Sequence, residues 1–239
     1  MYDTIVIGAG PAGLQAALTL GRMHRDVLVL DSGEYRNGTV EHAHNYATHD
    51  GRPPEEFRRL AREDLAEYTT VEVREAAVEA VAAGKGSFVV TIGDTVEQGS
   101  TVVLATGVRD RLPDIPGLAQ AWGKEVAHCP FCHGHELAGR RVALDVQGPH
   151  AERLRSMLER IGADLIDVSG TVRGIERVAG GLVLTLDSGN RARRWDVHRT
   201  GVRAVGAVRL AAGTGPERFR LHRRRRVPGD LAGRGVRCR

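Results

Sequence analysis

Gly8-Ala9-Gly10-Pro11-Ala12-Gly13 is the stretch that most constrains the fold of this chain. The apolar, β-branched run Thr4-Ile5-Val6-Ile7 precedes it, and a helical pattern follows with Leu14, Ala17, Leu18 and Met23 on one face. Val27-Leu28-Val29-Leu30 then reads as a second buried strand, ending in Asp31. Strand, G-x-G-x-x-G, helix, strand and acid, in that order, make the fingerprint of a dinucleotide-binding βαβ unit. Each part has a physical reason. Gly8 permits the tight turn, Gly10 lets the backbone approach a pyrophosphate, and Gly13 lets the helix pack close to the sheet. The pyrophosphate sits on the helix N-terminus, where backbone N–H groups lack partners. Asp31 is spaced to accept hydrogen bonds from a ribose diol. A glycine turn in an unrelated α/β domain is the alternative, and the flanking strands and acid weigh against it.

The second chemical feature is Cys129-Pro130-Phe131-Cys132, followed at once by His133-Gly134. Two thiols this close can close into a small disulfide and reopen, which suits two-electron redox chemistry. A dithiol and a dinucleotide site on one chain point to an electron path between a flavin and a disulfide. The neighbouring His133, with an ordinary pKa near 6.5, can take a thiol proton at neutral pH, and the thiolate is the reactive form. Two other readings of the cluster exist. Cys-x-x-Cys-His is also an attachment signature for c-type haem, but Met1-Tyr2-Asp3-Thr4-Ile5 has no basic n-region or cleavage site for export. Zinc could be held by Cys129, Cys132 and two of His128, His133 and His135, although a second ligand pair at the usual spacing is absent. His128 and His135 read as ordinary loop residues.

Composition sets the remaining bounds. The 239 residues are enough for two modest domains, and 41% hydrophobic content is ordinary for a globular core. Two of the three cysteines lie in the one CxxC, so no structural disulfide framework is available, which points to a reducing compartment. No apolar run approaches the roughly 20 residues needed to span a bilayer. The expectation is a cytoplasmic protein with no membrane partner. The net charge of +4 is the sum of two unlike parts. Residues 191–239 hold 15 arginines against Asp196, Glu217 and Asp230, while the rest of the chain is acidic, with 19 basic and 27 acidic side chains. Such a tail is one signature of nucleic-acid binding, but another explanation fits it better, as follows.

Farther along, residues 55–67 read as an amphipathic helix carrying Phe57, Leu60 and Leu65, and residues 70–73 and 87–92 as strands. Ser100-Thr101-Val102-Val103-Leu104 is an apolar strand leading into Ala105-Thr106-Gly107, and Pro113-Asp114-Ile115-Pro116-Gly117 follows. Together with the glycine fingerprint and the CxxC, these stand in the order found in low-molecular-weight thioredoxin reductases, and residues 1 to about 189 resemble that family. The resemblance implies an α/β fold: a Rossmann-like FAD-binding domain of three-layer ββα type (residues 1–112), then an incomplete second nucleotide-binding-like domain carrying the dithiol (113–189). It implies that Gly8, Gly10, Pro11, Ala12, Gly13 and Asp31 hold FAD, with Arg36, Asn37, Asn45, Val73, Thr106 and Gly107 completing its site. Cys132 would lie nearest the flavin and Cys129 would exchange with the substrate. Members are usually homodimers.

Two departures from the family matter. Thioredoxin reductases of this type generally place an acid after the dithiol; Cys-Pro-Phe-Cys-His-Gly instead resembles the branch of gliotoxin- and holomycin-type dithiol oxidases. The second nucleotide loop, after the strand Arg141-Val142-Ala143-Leu144, places Val146 where the first glycine belongs, and no arginine cluster follows the strand at 163–168. NADPH binding is therefore doubtful. The expectation is an FAD-dependent enzyme that oxidises a small dithiol, or a thioredoxin-like protein, through Cys129 and Cys132, with His133 as base and electrons passing to oxygen. The alternatives are an NADPH-dependent thioredoxin-disulfide reductase and an inactive flavin-binding remnant. The pattern ends after the hairpin at 183–189. Shifted by one base with free choice of wobble bases, the codons for Trp195–His198, Thr200–Gly213 and Pro228–Ala232 can encode runs that resemble the family's continuation in order. Residues 190–239 are therefore expected to be an off-frame, disordered tail with no nucleic-acid role.

Overall fold

The computed structural model describes residues 1–187 apart from Gln147 and Ser169, together with the backbone of three later stretches: Ala192–Arg194, Val202–Val205 and Gly235–Arg237. The expected off-frame tail otherwise lies outside the described residues. The chain divides into two compact units. One comprises Met1–Gly38, Glu55–Arg109 and Glu217–Arg239, the other Thr39–Pro54 and Asp110–Pro216. Among the described residues no helix is long and apolar enough to cross a membrane.

The first unit begins with the expected alternation: β1 (Tyr2–Ile7), α1 (Pro11–Arg22), β2 (Val27–Asp31), α2 (Pro54–Ala66) and β3 (Val71–Glu75). Strands β1, β2 and β3 run parallel, with Ile5 opposite Leu28 and Val29 opposite Val73. All five residues of β2 are buried, as a parallel strand covered on both faces requires. One face packs Val6, Leu14, Ala17, Val27, Val29 and Leu65 beneath the two helices. The other packs Ile5, Ile7, Leu28 and Leu30 against Val81 and Val90. Those last two come from a meander of β4 (Ala80–Ala83), β5 (Phe88–Ile92) and β6 (Thr95–Leu104), so the unit has helix, sheet and meander layers.

Strand β6 joins the two sets of strands. Its first half pairs antiparallel with β5 and its second half parallel with β1. The apolar pattern in the sequence marks this strand only from Ser100, because the half at 95–99 is polar and partly exposed. Met23 is a second difference. It was expected on the buried face of α1 but is 70% exposed. It caps the helix, and the chain reverses at His24, which has φ of 53°.

The second unit holds β7 (Val126–Ala127), β8 (Arg141–Leu144), β9 (Asp164–Asp167), β10 (Thr171–Val178) and β11 (Gly181–Asp187). Residues Ala192–Arg194 add β12 to the β10–β11 hairpin, and Val202–Val205 form β13, parallel to both β7 and β8. Its helices are α3 (Leu118–Ala121), α4 (Pro130–His133) and α5 (Pro149–Arg160), with a 3₁₀ turn at His135–Leu137 after α4. The hairpin is longer than expected, since β10 was not read from the sequence. Its Val172 and Ile175 join Leu118, Val126, Ala143 and Leu184 in one core. Leu137, Val142, Leu144, Leu154 and Leu158 form another beneath α5.

Candidate functional site

In the first unit, the loop between β1 and α1 is built as a cradle. Gly8 has φ of +100°, and a Cβ there would lie 2.4 Å from the Ala105 carbonyl oxygen. A Cβ on Gly13 would lie 1.8 Å from the Gly8 oxygen. Both positions are closed to any side chain, so loop, helix and the Ala105-Thr106-Gly107 segment form one tight junction. The Gly10 and Gly107 positions have nothing within 4 Å of such an atom. The N-terminus of α1 has Pro11 in its first turn, no side-chain cap and no acid there. Its free N–H groups and positive dipole end are therefore available to an anion. These features fit the diphosphate of FAD. Pro11, Ala12, Thr106 and Gly107 are exposed around this opening.

Asp31 is only 3% exposed. One carboxylate oxygen accepts the Ala9 N–H at 3.1 Å; the other accepts Nη2 of Arg62 at 2.5 Å and the Tyr35 hydroxyl. Burial and the Asp31 hydrogen bond hold the Tyr35 phenol above its usual pKa. Arg58 lies 3.8 Å over the Tyr35 ring and donates to Asn37 at 3.3 Å. Asp31 thus ties the cradle to a network that the sequence reading did not assign. The signal for it was present: Arg58 and Arg62 are four apart on α2 and share a face. Arg36 is exposed, and Val73 packs half-buried against the first unit's core.

Asn45, Cys129, Cys132 and His133 belong to the second unit. Asn45 has φ of 61°, and its N–H donates to Asp50 at 2.7 Å. Cys129 precedes α4 with extended backbone, and its carbonyl accepts the N–H groups of Cys132 and His133. The two sulfurs are 2.6 Å apart, and both residues are half-buried. His133 lies one helical turn beyond Cys129, the spacing that places two residues on one face. Both of its ring nitrogens are buried without a hydrogen-bond partner. Burial holds its imidazole below the ordinary 6.5, Glu136 pulls it up, and His44 and His128 push it down. His133 is therefore neutral at pH 7, the form that accepts a proton. Phe131, between the thiols, is 66% exposed. His128 stacks on Trp122, with ring centroids 5.6 Å apart. Among the described residues no group of three or more His, Cys, Asp and Glu side chains is arranged to hold a metal ion.

The second unit also contains a βαβ unit, with β8 and β9 parallel around α5. Its turn differs from the first cradle. Val146 packs against the core beneath α5, and Glu152 places an acid in the helix's first turn, where it opposes a phosphate. Asp167, at the end of β9, is paired with Arg155.

A thioredoxin reductase, sirT, of Leptosphaeria maculans is 45% identical over 148 residues, which cover 60% of this chain and 45% of that protein. Another, aclD of Aspergillus oryzae, is 43% identical over 144 residues, covering 58% and 45%. The crystal structure of an oxidoreductase from Agrobacterium tumefaciens superposes with a TM-score of 0.72 at 30% identity, covering 85% of this chain and 74% of that one. The chain spans about half the length of the curated relatives it matches. The model of one family, pyridine nucleotide-disulphide oxidoreductase, matches residues 2–149, a stretch that contains the glycine cradle and the dithiol, and the chain belongs to that family.

Proposed function

We propose that this protein is an FAD-dependent dithiol oxidase, which converts a small dithiol to a disulfide through Cys129 and Cys132. The observation that carries the reading is the dithiol itself: two sulfurs 2.6 Å apart, followed in the chain by His133, whose ring nitrogens are buried without a hydrogen-bond partner. Gly8, Gly10, Gly13 and the N-terminal turn of α1 would hold the diphosphate of FAD. Asp31 orders that loop through the Ala9 N–H, and Arg36, Asn37, Asn45, Val73, Thr106 and Gly107 complete the proposed site.

The steps on this chain's residues balance as follows. His133 takes the proton of an incoming substrate thiol. The thiolate attacks the Cys129 sulfur of the oxidised pair, the Cys129–Cys132 bond breaks, and Cys132 leaves as a thiolate. The second substrate thiol gives its proton to solvent, attacks the substrate sulfur of the mixed disulfide and releases Cys129 as a thiolate. FAD would supply the acceptor for the electron pair of the reduced dithiol, and oxygen, taking that pair with one proton from His133 and one from solvent, would leave as hydrogen peroxide. With dithiothreitol as probe, the protein is expected to consume oxygen, and Cys129→Ser and Cys132→Ser to abolish that consumption. Undiminished consumption in either variant contradicts the reading.

A second reading, an NADPH-dependent thioredoxin reductase, draws on the β8–α5–β9 unit and on the names of the relatives. Val146 and Glu152 argue against it. A third, an inactive remnant, predicts a purified protein without visible flavin absorbance. The domain limits 1–112 and 113–189, a homodimeric assembly and a cytoplasmic location are part of the same proposal.

A further inference from the structure

Two buried polar groups near the dithiol have no hydrogen-bond partner: both ring nitrogens of His133, and Oε2 of Glu136. Such orphans are uncommon in folded proteins and call for a reason. These two are complementary, an imidazole and a carboxylate. They are three residues apart, from the end of α4 into the 3₁₀ turn at His135–Leu137, a spacing that puts them on one side of the chain. Glu136 is also the main charge raising the affinity of His133 for a proton. The other oxygen of Glu136 faces His44: His44 Nε2 lies 3.6 Å from Oε1, and His44 Nδ1 lies 3.7 Å from Asp50. The loop bearing His44 thus lies against one side of the Glu136 carboxylate, and the oxygen on the other side has no hydrogen-bond partner.

We propose that Glu136 is the positioning residue for His133: one carboxylate oxygen faces His44, and the other receives the imidazole N–H once His133 has taken a thiol proton. This rests on the reading of His133 as the base of a dithiol oxidase. In the resting state the imidazole is neutral and its desolvation costs little. Once protonated it is a buried cation, and a buried cation needs a partner. Glu136 supplies that charge without touching the substrate. His44 and His128 are the opposing groups that face His133, and Asp50 faces His44. The carboxylate therefore decides whether His133 can hold a proton near neutral pH.

The test is an NMR titration of the His133 imidazole in FAD-loaded protein with the Cys129–Cys132 pair oxidised, so that no thiol titrates alongside it. Glu136→Gln is expected to lower the midpoint and to slow dithiothreitol-driven flavin reduction by about tenfold. Glu136→Asp, which keeps the charge one methylene farther back, is expected to give an intermediate midpoint, and it serves alone if the glutamine variant does not fold. An unchanged His133 midpoint in both variants overturns the proposal. A different result marks failure of the underlying reading: His133→Asn reducing the flavin as fast as the unaltered protein, against the loss of about 10²–10⁴-fold expected for a missing base.

Discussion

Individual residues here are fixed by contact more than by conformation. Gly134 has ordinary helical φ, yet a Cβ there would lie 2.2 Å from the Pro130 carbonyl oxygen. The substitution Gly134→Ala should shift the dithiol turn and destabilise the protein by about 1–3 kcal/mol, as overpacking does; a denaturant midpoint measures it. His133 makes a second prediction, through pH. Its folded-state pKa lies below the ordinary 6.5, so between those two values the unfolded chain binds the extra proton. The stability that His133 contributes is present above pH 6.5 and is lost as pH falls through 6.5 toward the folded value. Replacing His133 by Asn should flatten the stability profile in that window, read by thermal unfolding at a series of pH values. The spacing of Cys129, Cys132 and His133 was legible in the sequence because it is local. The partners Glu136 and His44 were not, since their pairing depends on how the 39–54 loop folds back, which no periodicity records. Arg58 and Arg62 could be read as sharing a face of α2, but the pairing of Arg62 with Asp31, 31 residues away in the chain, could not.

At the scale of elements, the βαβ unit was the most legible part, because period and punctuation agree. The glycine turn, the buried runs at 4–7 and 27–30 and the amphipathic α2 each follow from side-chain pattern. The meander was only half legible. Strand β4 (Ala80–Ala83) lies in an alanine-rich segment without alternation, and the first half of β6 is polar. Tertiary pairing with β5, not local preference, makes them strands. The junction between α1 and the sheet gives the prediction at this scale. Gly13→Ala places a methyl 1.8 Å from the Gly8 oxygen. It should cost about 1–3 kcal/mol and lower FAD retention together with stability, measured as flavin-to-protein ratio after gel filtration. Gly10→Ala has open space, so it should spare the fold while reducing FAD binding. If Gly10→Ala retains flavin fully, the diphosphate does not sit where the cradle suggests.

For the whole molecule, the two βαβ units differ in what their turns can hold. The first ends β1 in a glycine cradle with an uncapped helix start. The second ends β8 in Val146, packed into the core, ahead of a helix with Glu152 in its first turn. That asymmetry supports the proposed entry of electrons from a dithiol and not from NADPH. It was partly readable in the sequence as a missing glycine, but the packing of Val146 and the pairing of Asp167 with Arg155 needed the structure. The most direct measurement is anaerobic mixing of the FAD-loaded protein with dithiothreitol and, separately, with NADPH, following the visible flavin absorbance. Rapid bleaching by the dithiol is expected, with colour returning when air is admitted and little or no response to NADPH. Rapid bleaching by NADPH with an inert response to the dithiol would contradict the proposal.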